Sequence, residues 1–289
     1  MQKLLLIISV LMITVISITA CAPLDVLNAT VSDNGYQSKT DIAYGSHPRQ
    51  KLDVHIPQDK QTGDVVIFFY GGRWSSGEKQ DYRFIAEAFT SHGIITVIPN
   101  YQLYPRIRFP VFIEDGAQAY QWVIKNIEKF KGNKRRVFLA GHSAGGYIAA
   151  MLALDENYIQ NTNTRQLPCG TIGYAGPYDF LPFDADDLIQ IFTTPLHPTR
   201  TQPITFVDGS ENPLLLLMGN DDVTVKERNA PNLHRRIQSR KGKSTLIRYD
   251  GIDHIDMLLA LSSTFRGKAP ILDDSIKFIR KTTCVAVNK

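Results

Sequence analysis

Cysteine is scarce in this chain: three in 289 residues, too few to build a disulfide framework. Charge of one sign is scarce too. Lys and Arg total 32 against 28 Asp and Glu, a net charge of +4, too mild to imply a nucleic-acid binder, which usually shows a concentrated basic stripe. The 20 glycines fall far short of collagen's one in three. With 43% hydrophobic residues, the chain is too apolar to be disordered. There is no internal repeat and no low-complexity block. What remains is enough material for one large domain or two small ones, and one conspicuous N-terminal run.

Met1–Lys3 carry a positive charge, and Leu4–Ala20 follow without any charge. That length suits the core of a signal peptide and is short for a membrane-spanning helix, which needs about 20 apolar residues. The run ends Ile18-Thr19-Ala20-Cys21, which resembles the lipobox of bacterial lipoproteins. The resemblance implies cleavage before Cys21, acylation of Cys21, and a lipid-anchored protein of the cell envelope. Ala22 in place of Asp implies the outer membrane in a Gram-negative cell. Ordinary secretion and an uncleaved anchor are the alternatives. Residues 1–20 are thus read as an address, 21–38 as a tether and 39–289 as the folded domain. An oxidising compartment permits Cys169 and Cys284 to pair, but buried free thiols are the simpler expectation.

Past the tether, short apolar runs alternate with helical patterns. Strands are expected at Asp41–Tyr44, Lys51–His55, Val65–Phe69, Ile94–Pro99, Val137–Ala140, Thr171–Tyr174, Leu214–Met218 and Thr245–Tyr249. Continuous runs such as VVIFF and LLLLM suit parallel strands covered on both faces. Helices are expected at Tyr82–Ser91, Phe112–Phe130, Ala144–Leu154, Glu227–Arg240 and Ile271–Lys281. Strand alternating with helix predicts an α/β fold, a mostly parallel doubly wound sheet of about eight strands with helices on both faces. The first two strands have no helix between them and predict an edge hairpin. Pro177–Asn212 breaks the rhythm and reads as a short insertion over the carboxyl edge, where ligands bind in such sheets.

The chemistry concentrates at Gly141-His142-Ser143-Ala144-Gly145, where an apolar strand runs into a helix of small and apolar residues. A G-x-S-x-G between strand and helix makes a sharp turn that presents a serine, with glycines where larger side chains clash. A serine hydroxyl needs a base, and the base an orienting acid. Of the seven histidines, His197, His234 and His254 follow Ser143. His197 lies in the insertion and His234 in a polar helix. His254 follows a strand at the sheet's carboxyl edge, as Ser143 does, and is the expected base. The acid follows the strand LLLLM, where Asp221 and Asp222 are adjacent; Asp253 reads as a solvated loop carboxylate. An oxyanion needs backbone N–H donors. Ala144, after the serine, offers one, and the glycine-rich Tyr70-Gly71-Gly72-Arg73-Trp74 loop offers Gly72 and Arg73.

Together these motifs resemble the α/β-hydrolase carboxylesterases, in the hormone-sensitive-lipase-like, arylformamidase-like and prenylcysteine-methylesterase-like group. The resemblance runs from about Asp41 to Lys281. It implies Asp222 as the acid, through a G-x-x-D-x-x-V pattern. Asn100–Pro105 resembles the group's D-Y-R-L-x-P segment, and Asp115–Trp122 its D-x-x-x-A-x-x-W helix. Tyr70 stands where the group has His. Gln102 replaces the usual Arg and Arg106 the usual Glu, so an ion pair common in the group is missing.

The resemblance implies a serine carboxylesterase acting on small esters through an acyl-enzyme, with catalytic Ser143, Asp222 and His254, no cofactor and no metal. Trp74, Tyr178, Phe180 and Phe183 are candidates to line its pocket. The expected partners are a small-molecule ester and, through Cys21, a membrane; no nucleic acid is expected, and the oligomeric state is left open. Amide hydrolysis by an arylformamidase or peptidase, and a catalytically idle surface lipoprotein, are the competing readings. Lys129, Lys131, Lys134, Arg135 and Arg136 form a basic cluster that suits a solvated loop or anionic head groups.

Overall fold

The apolar runs form the middle of one sheet. In the computed structural model, which describes residues 27–28, 31, 34–194 and 197–284, they are β3 (Val65–Phe69), β4 (Ile95–Pro99), β5 (Val137–His142), β6 (Gly170–Tyr174) and β7 (Leu214–Gly219). Every residue of these five strands is buried, so both faces are covered. β1 (Tyr36–Ala43), β2 (Lys51–Pro57) and β8 (Ser244–Tyr249) complete an eight-stranded sheet ordered β1-β2-β4-β3-β5-β6-β7-β8. β2 is antiparallel to both neighbours, and all other pairs are parallel. The edge hairpin is where the helix-free spacing placed it.

The helices in chain order are α1 (Arg83–Thr90), α2 (Val111–Asn126), α3 (Ala144–Leu154), α4 (Asn157–Gln160), α5 (Asp186–Ile191), α6 (Asn229–Ser239), α7 (Asp256–Leu259) and α8 (Ile271–Lys281). α3 reads AGGYIAAMLAL and is buried on nearly every residue. It packs on β5 and β6 on one side and on α2 on the other, as a helix apolar all round must. That burial holds its N-terminus, and with it Ser143, at the end of β5. Among the described residues, no helix is long and apolar enough to cross a membrane.

Three expectations need correction. β1 begins at Tyr36, inside the stretch read as tether, because Tyr36 buries its ring edge-on against His55 of β2. The rest of β1 is mostly exposed, so periodicity does not reveal it. Leu27 is also buried in the core, and Asn28 Nδ2 donates to Gln80 O at 3.1 Å. Second, Phe112–Phe130 is not one helix: α2 ends at Asn126 and a 3₁₀ turn, Ile127–Phe130, closes at Lys131 with φ 65°. Third, Cys169 and Cys284 are not free thiols. They form a disulfide with Cα atoms 4.7 Å apart, joining the entry of β6 to the segment after α8. Cys21 lies outside the described residues.

Candidate active site

β5 ends in the turn that carries Ser143, whose backbone is left-handed at φ 54°, ψ −121°. A non-glycine residue there stores about 1–3 kcal/mol of strain, retained where the surroundings overdetermine it. The surroundings do: a Cβ on Gly145 would lie 1.9 Å from Phe69 O, so α3 can start here only with glycine at that position. Ser143 N–H donates to Tyr174 O at 2.9 Å, tying the turn to β6.

His254 is 7% exposed and sits after β8. Its Nε2 lies 2.9 Å from Ser143 Oγ and its Nδ1 2.8 Å from Asp222 Oδ2. Asp222 Oδ1 accepts from Thr224 N–H at 2.8 Å and Val225 N–H at 2.9 Å. Burial alone would raise the Asp222 carboxyl, but the hydrogen bond from His254 and those from Val225 and Thr224 outweigh it and hold it below the usual value. Asp222 thus stays ionised and orients the ring with Nδ1 protonated and Nε2 free to accept. Asp221 is exposed, and the acceptor for His254 Nδ1 is Asp222. Asp253 Oδ1 accepts from Ile255 and Asp256 N–H at 2.9 and 2.7 Å, fixing the turn into α7. His197 is exposed, and His234 Nδ1 bonds Ser244 Oγ at 2.8 Å.

The Gly71–Trp74 loop leans on the serine. A Cβ on Gly71 would lie 3.2 Å from Ser143 Cβ, so a side chain there would crowd the serine. Gly72, Arg73 and Trp74 all have positive φ, at 109°, 54° and 55°, which curls the loop over the pocket. Gly72, Arg73 and Ala144 all line it beside Ser143. Ala144 opens α3, and first-turn N–H groups have no acceptor within their own helix.

Tyr70 supports this loop by hydrogen bonding, in the place of the group's His; Arg49, which sequence reasoning missed, holds Tyr70 in turn. Tyr70 is fully buried, stacked between Tyr101 and Tyr82 at 4.7 and 5.2 Å. Its hydroxyl donates to Asn100 Oδ1 at 2.8 Å and accepts from Arg49 Nη2 at 2.9 Å. Arg49 Nη2 also donates to Gly77 O at 2.8 Å, and Arg49 Nε to Tyr101 O at 2.8 Å. Tyr101 OH donates to Tyr70 O at 2.9 Å. Arg49 therefore clamps both ends of the 70–77 loop from β2's approach, 21 residues away in sequence. Nothing local marks it. Arg49→Ala is expected to lower kcat at least about tenfold with little change in KM, since one displaced oxyanion donor costs about 100–1,000-fold. Arg49→Lys, a single point donor, should recover part of it; steady-state kinetics reads both. The missing ion pair is also replaced. Buried Asp115 accepts from Gln102 N–H, Gln102 Nε2 and Gln50 Nε2 at 2.7, 3.1 and 2.7 Å.

His142 was the unassigned residue of the motif. Its Nε2 donates to His254 O at 2.9 Å, bracing the base from behind. Burial, with His254 alongside, pushes its pKa down to about 3. His55, buried on β2 beside Lys79 and Arg83, is pushed down to about 4. Both rings are neutral in the fold and charge once unfolded below pH 6.5, so the unfolded chain binds more protons. Their contribution is full above pH 6.5 and is lost as pH falls toward 4 and 3. At pH 5 this removes about 2 kcal/mol per ring. Urea unfolding at pH 7.5 and 5.0 should show the drop, and His55→Gln should roughly halve it.

The pocket over Ser143 encloses about 610 Å³, within the range of small-molecule sites. Trp74, Phe180 and Leu188 line it, with Ile255, Leu258 and Leu259. Of the expected aromatics, Tyr178 is buried in the core, and Phe183 packs behind Phe180 at 5.6 Å. The insertion lies over the site as expected, with α5 inside it. It is pinned to the 70–77 loop by Arg73–Asp187 and to the acid loop by Lys226–Asp184; such exposed pairs contribute little stability but bridge the mouth. Among the described residues, no group of three or more His, Cys, Asp or Glu is arranged to hold a metal ion.

The sequence model of the BD-FAE family matches residues 52–237. A probable isoprenylcysteine alpha-carbonyl methylesterase of Oryza sativa subsp. japonica is 26% identical over 245 residues, 75% of this chain and 57% of that protein. The kynurenine formamidase of Salmo salar is 24% identical over 234 residues, 77% of this chain and 76% of that protein. The chain spans about three-fifths of the length of the methylesterases it matches. Among solved structures, esterase B from Lactobacillus rhamnosis (HN001) superposes with a TM-score of 0.77 at 15% identity, covering 94% of this chain and 95% of that one. That likeness is one of fold, the α/β-hydrolase fold.

Proposed function

The chain belongs to the BD-FAE family, and we propose that it is a serine carboxylesterase for small carboxylic esters. The observation that carries the reading is the unbroken chain Ser143 Oγ, His254 Nε2, His254 Nδ1, Asp222 Oδ2, with both links at 2.8–2.9 Å on the floor of an apolar pocket. The esterase-named relatives support the same class of chemistry.

In this reading Ser143 Oγ attacks the ester carbonyl while its proton passes to His254 Nε2. Asp222 holds the ring and stabilises the imidazolium that forms. The carbonyl oxygen becomes an oxyanion, and N–H groups of Gly72, Arg73 and Ala144 receive it, each donor lowering the barrier by about 3 kcal/mol. His254 returns the proton to the departing alcohol. Water, deprotonated by the same ring, then frees Ser143 from the acyl group.

A fluorophosphonate probe tests the nucleophile. The wild type should be labelled and Ser143→Ala should not; equal labelling of both would sink the serine mechanism and leave an idle fold. Matched aryl esters and formamides test the substrate class. Esters should turn over faster; preference for the formamide would favour the kynurenine-formamidase-like alternative. For the N-terminal segment the proposal is a lipid anchor at Cys21, in the cell envelope. The Cys169–Cys284 disulfide agrees with an exported chain. Mass spectrometry finding Cys21 unacylated in the mature protein would refute the anchor.

A further inference from the structure

Among the described residues, three large hydrophobic side chains are exposed: Ile189, Val223 and Ile255, at 50%, 95% and 50%. Single exposed apolar residues are ordinary and scatter over a surface. These do not scatter. Ile255 lines the pocket itself, Ile189 follows the lining Leu188, and Val223 precedes the lining Thr224. They come from three separate elements (α5 of the insertion, the acid loop and the His254 turn), and each lines the pocket or is next in sequence to a residue that does. Some charged neighbours there are paired with one another, as Arg73–Asp187, Lys226–Asp184 and Lys268–Asp256, while Asp186, Asp221 and Asp253 are in none of these pairs.

The N-terminal segment says what covers this rim. The uncharged run Leu4–Ala20 ends seven residues before Leu27, and Leu27 is buried beside Asn28, which holds Gln80 O. Two residues past Gln80, Tyr82 lines the pocket. Extended, the chain reaches about 20 Å from Cys21 to Leu27 and about 25 Å from Ala20. A membrane holding that segment, or acyl chains on Cys21, therefore lies within about 25 Å of Leu27, whose neighbour Asn28 meets the turn that leads to the pocket-lining Tyr82. The basic cluster faces the other way. It precedes β5, whose six residues separate it from Ser143 by about 20 Å, and its Arg136 is engaged by Asp64 and by Thr282 O and Ile279 O.

We propose that the mouth of the pocket docks on a lipid bilayer, with Ile189, Val223 and Ile255 entering the head-group region, so that esters dissolved in the bilayer reach Ser143. This rests on the reading of the N-terminal segment as a membrane attachment. Each such side chain withdrawn from water strengthens binding about tenfold or more.

The test uses the full chain on phosphatidylcholine vesicles and the double variant Ile189→Asp/Val223→Asp, neither residue being part of the pocket lining. Hydrolysis of 4-nitrophenyl palmitate carried in vesicles should fall at least tenfold. Hydrolysis of 4-nitrophenyl acetate in free solution should stay within twofold. Equal losses on both substrates, or none on either, overturn the proposal. Hydrogen exchange gives a readout that survives failure of the esterase reading: vesicles should slow exchange in 186–191 and 220–225 of the wild type and not of the variant. Protection that grows with protein concentration without vesicles assigns the rim to a second copy instead. A wild-type chain that stays in the supernatant with vesicles present removes the attachment reading, and the proposal with it.

Discussion

Asp222→Asn is expected to lower kcat/KM by about 10,000-fold while Asp221→Asn stays within about twofold. The difference follows from how the two oxygens of Asp222 are used. Oδ1 accepts from two backbone N–H groups, Thr224 and Val225, and Oδ2 accepts from His254 Nδ1. An asparagine must keep its one carbonyl oxygen on the two N–H donors, since an NH₂ there would face them as a second donor. The amide nitrogen then points at the imidazole. It donates to Nδ1, so the ring proton moves to Nε2, and Nε2 can no longer accept from Ser143 Oγ. The fold is retained, the volume is unchanged, and the base is in the wrong tautomer. Asp221 has no such duty: only its backbone is engaged, with N–H donating to Ile252 O at 3.1 Å. Kinetics on 4-nitrophenyl acetate, with thermal unfolding to confirm the fold, decides between them. Loss of activity in Asp221→Asn with Asp222→Asn intact would reverse the assignment.

Adjacent aspartates on a loop have no periodicity to separate them, which is why the residues alone left both open. Ser143 and His254 were legible because each follows a run of apolar residues that only a buried parallel strand explains, and the carboxyl ends of parallel strands converge. The glycines at 71, 72, 141 and 145 were legible because backbone approaches backbone there. Arg49 and His142 were not. Each acts by pairing with groups brought near only by the fold: Arg49 with Tyr70, Gly77 and Tyr101, and His142 with the carbonyl of His254. β1 was blurred for a related reason. An edge strand exposed on nearly every residue, with a register shift between Lys39 and Ile42, carries little alternation. The departures Tyr70 and Gln102 look like losses in one dimension. In three dimensions Tyr70 is held by Arg49 and Asn100, and Gln102 supplies Asp115 with neutral donors, so the loop is supported by different chemistry.

The second large effect concerns stability and leaves catalysis alone. The disulfide spans 115 residues of sequence. Closing a loop of that length in the unfolded chain contributes about 5 kcal/mol in the chain-entropy account, which is as much as the whole stability of a marginal domain. Cys169→Ala/Cys284→Ala is therefore expected to lower the urea midpoint steeply, and a reductant acting on the wild type should produce the same fall. Reductant added to the double variant should do nothing further. Activity below the transition should be unchanged. Cys169 enters β6 at its amino end, whereas Ser143, His254 and Asp222 gather at the carboxyl edge, and five residues of β6 separate the two by about 17 Å. A midpoint that does not move on reduction would count against a Cys169–Cys284 bridge that restricts the unfolded chain. A fall in kcat at temperatures where the variant remains folded would mean that strain is transmitted along β6 to Tyr174, whose carbonyl holds the Ser143 N–H.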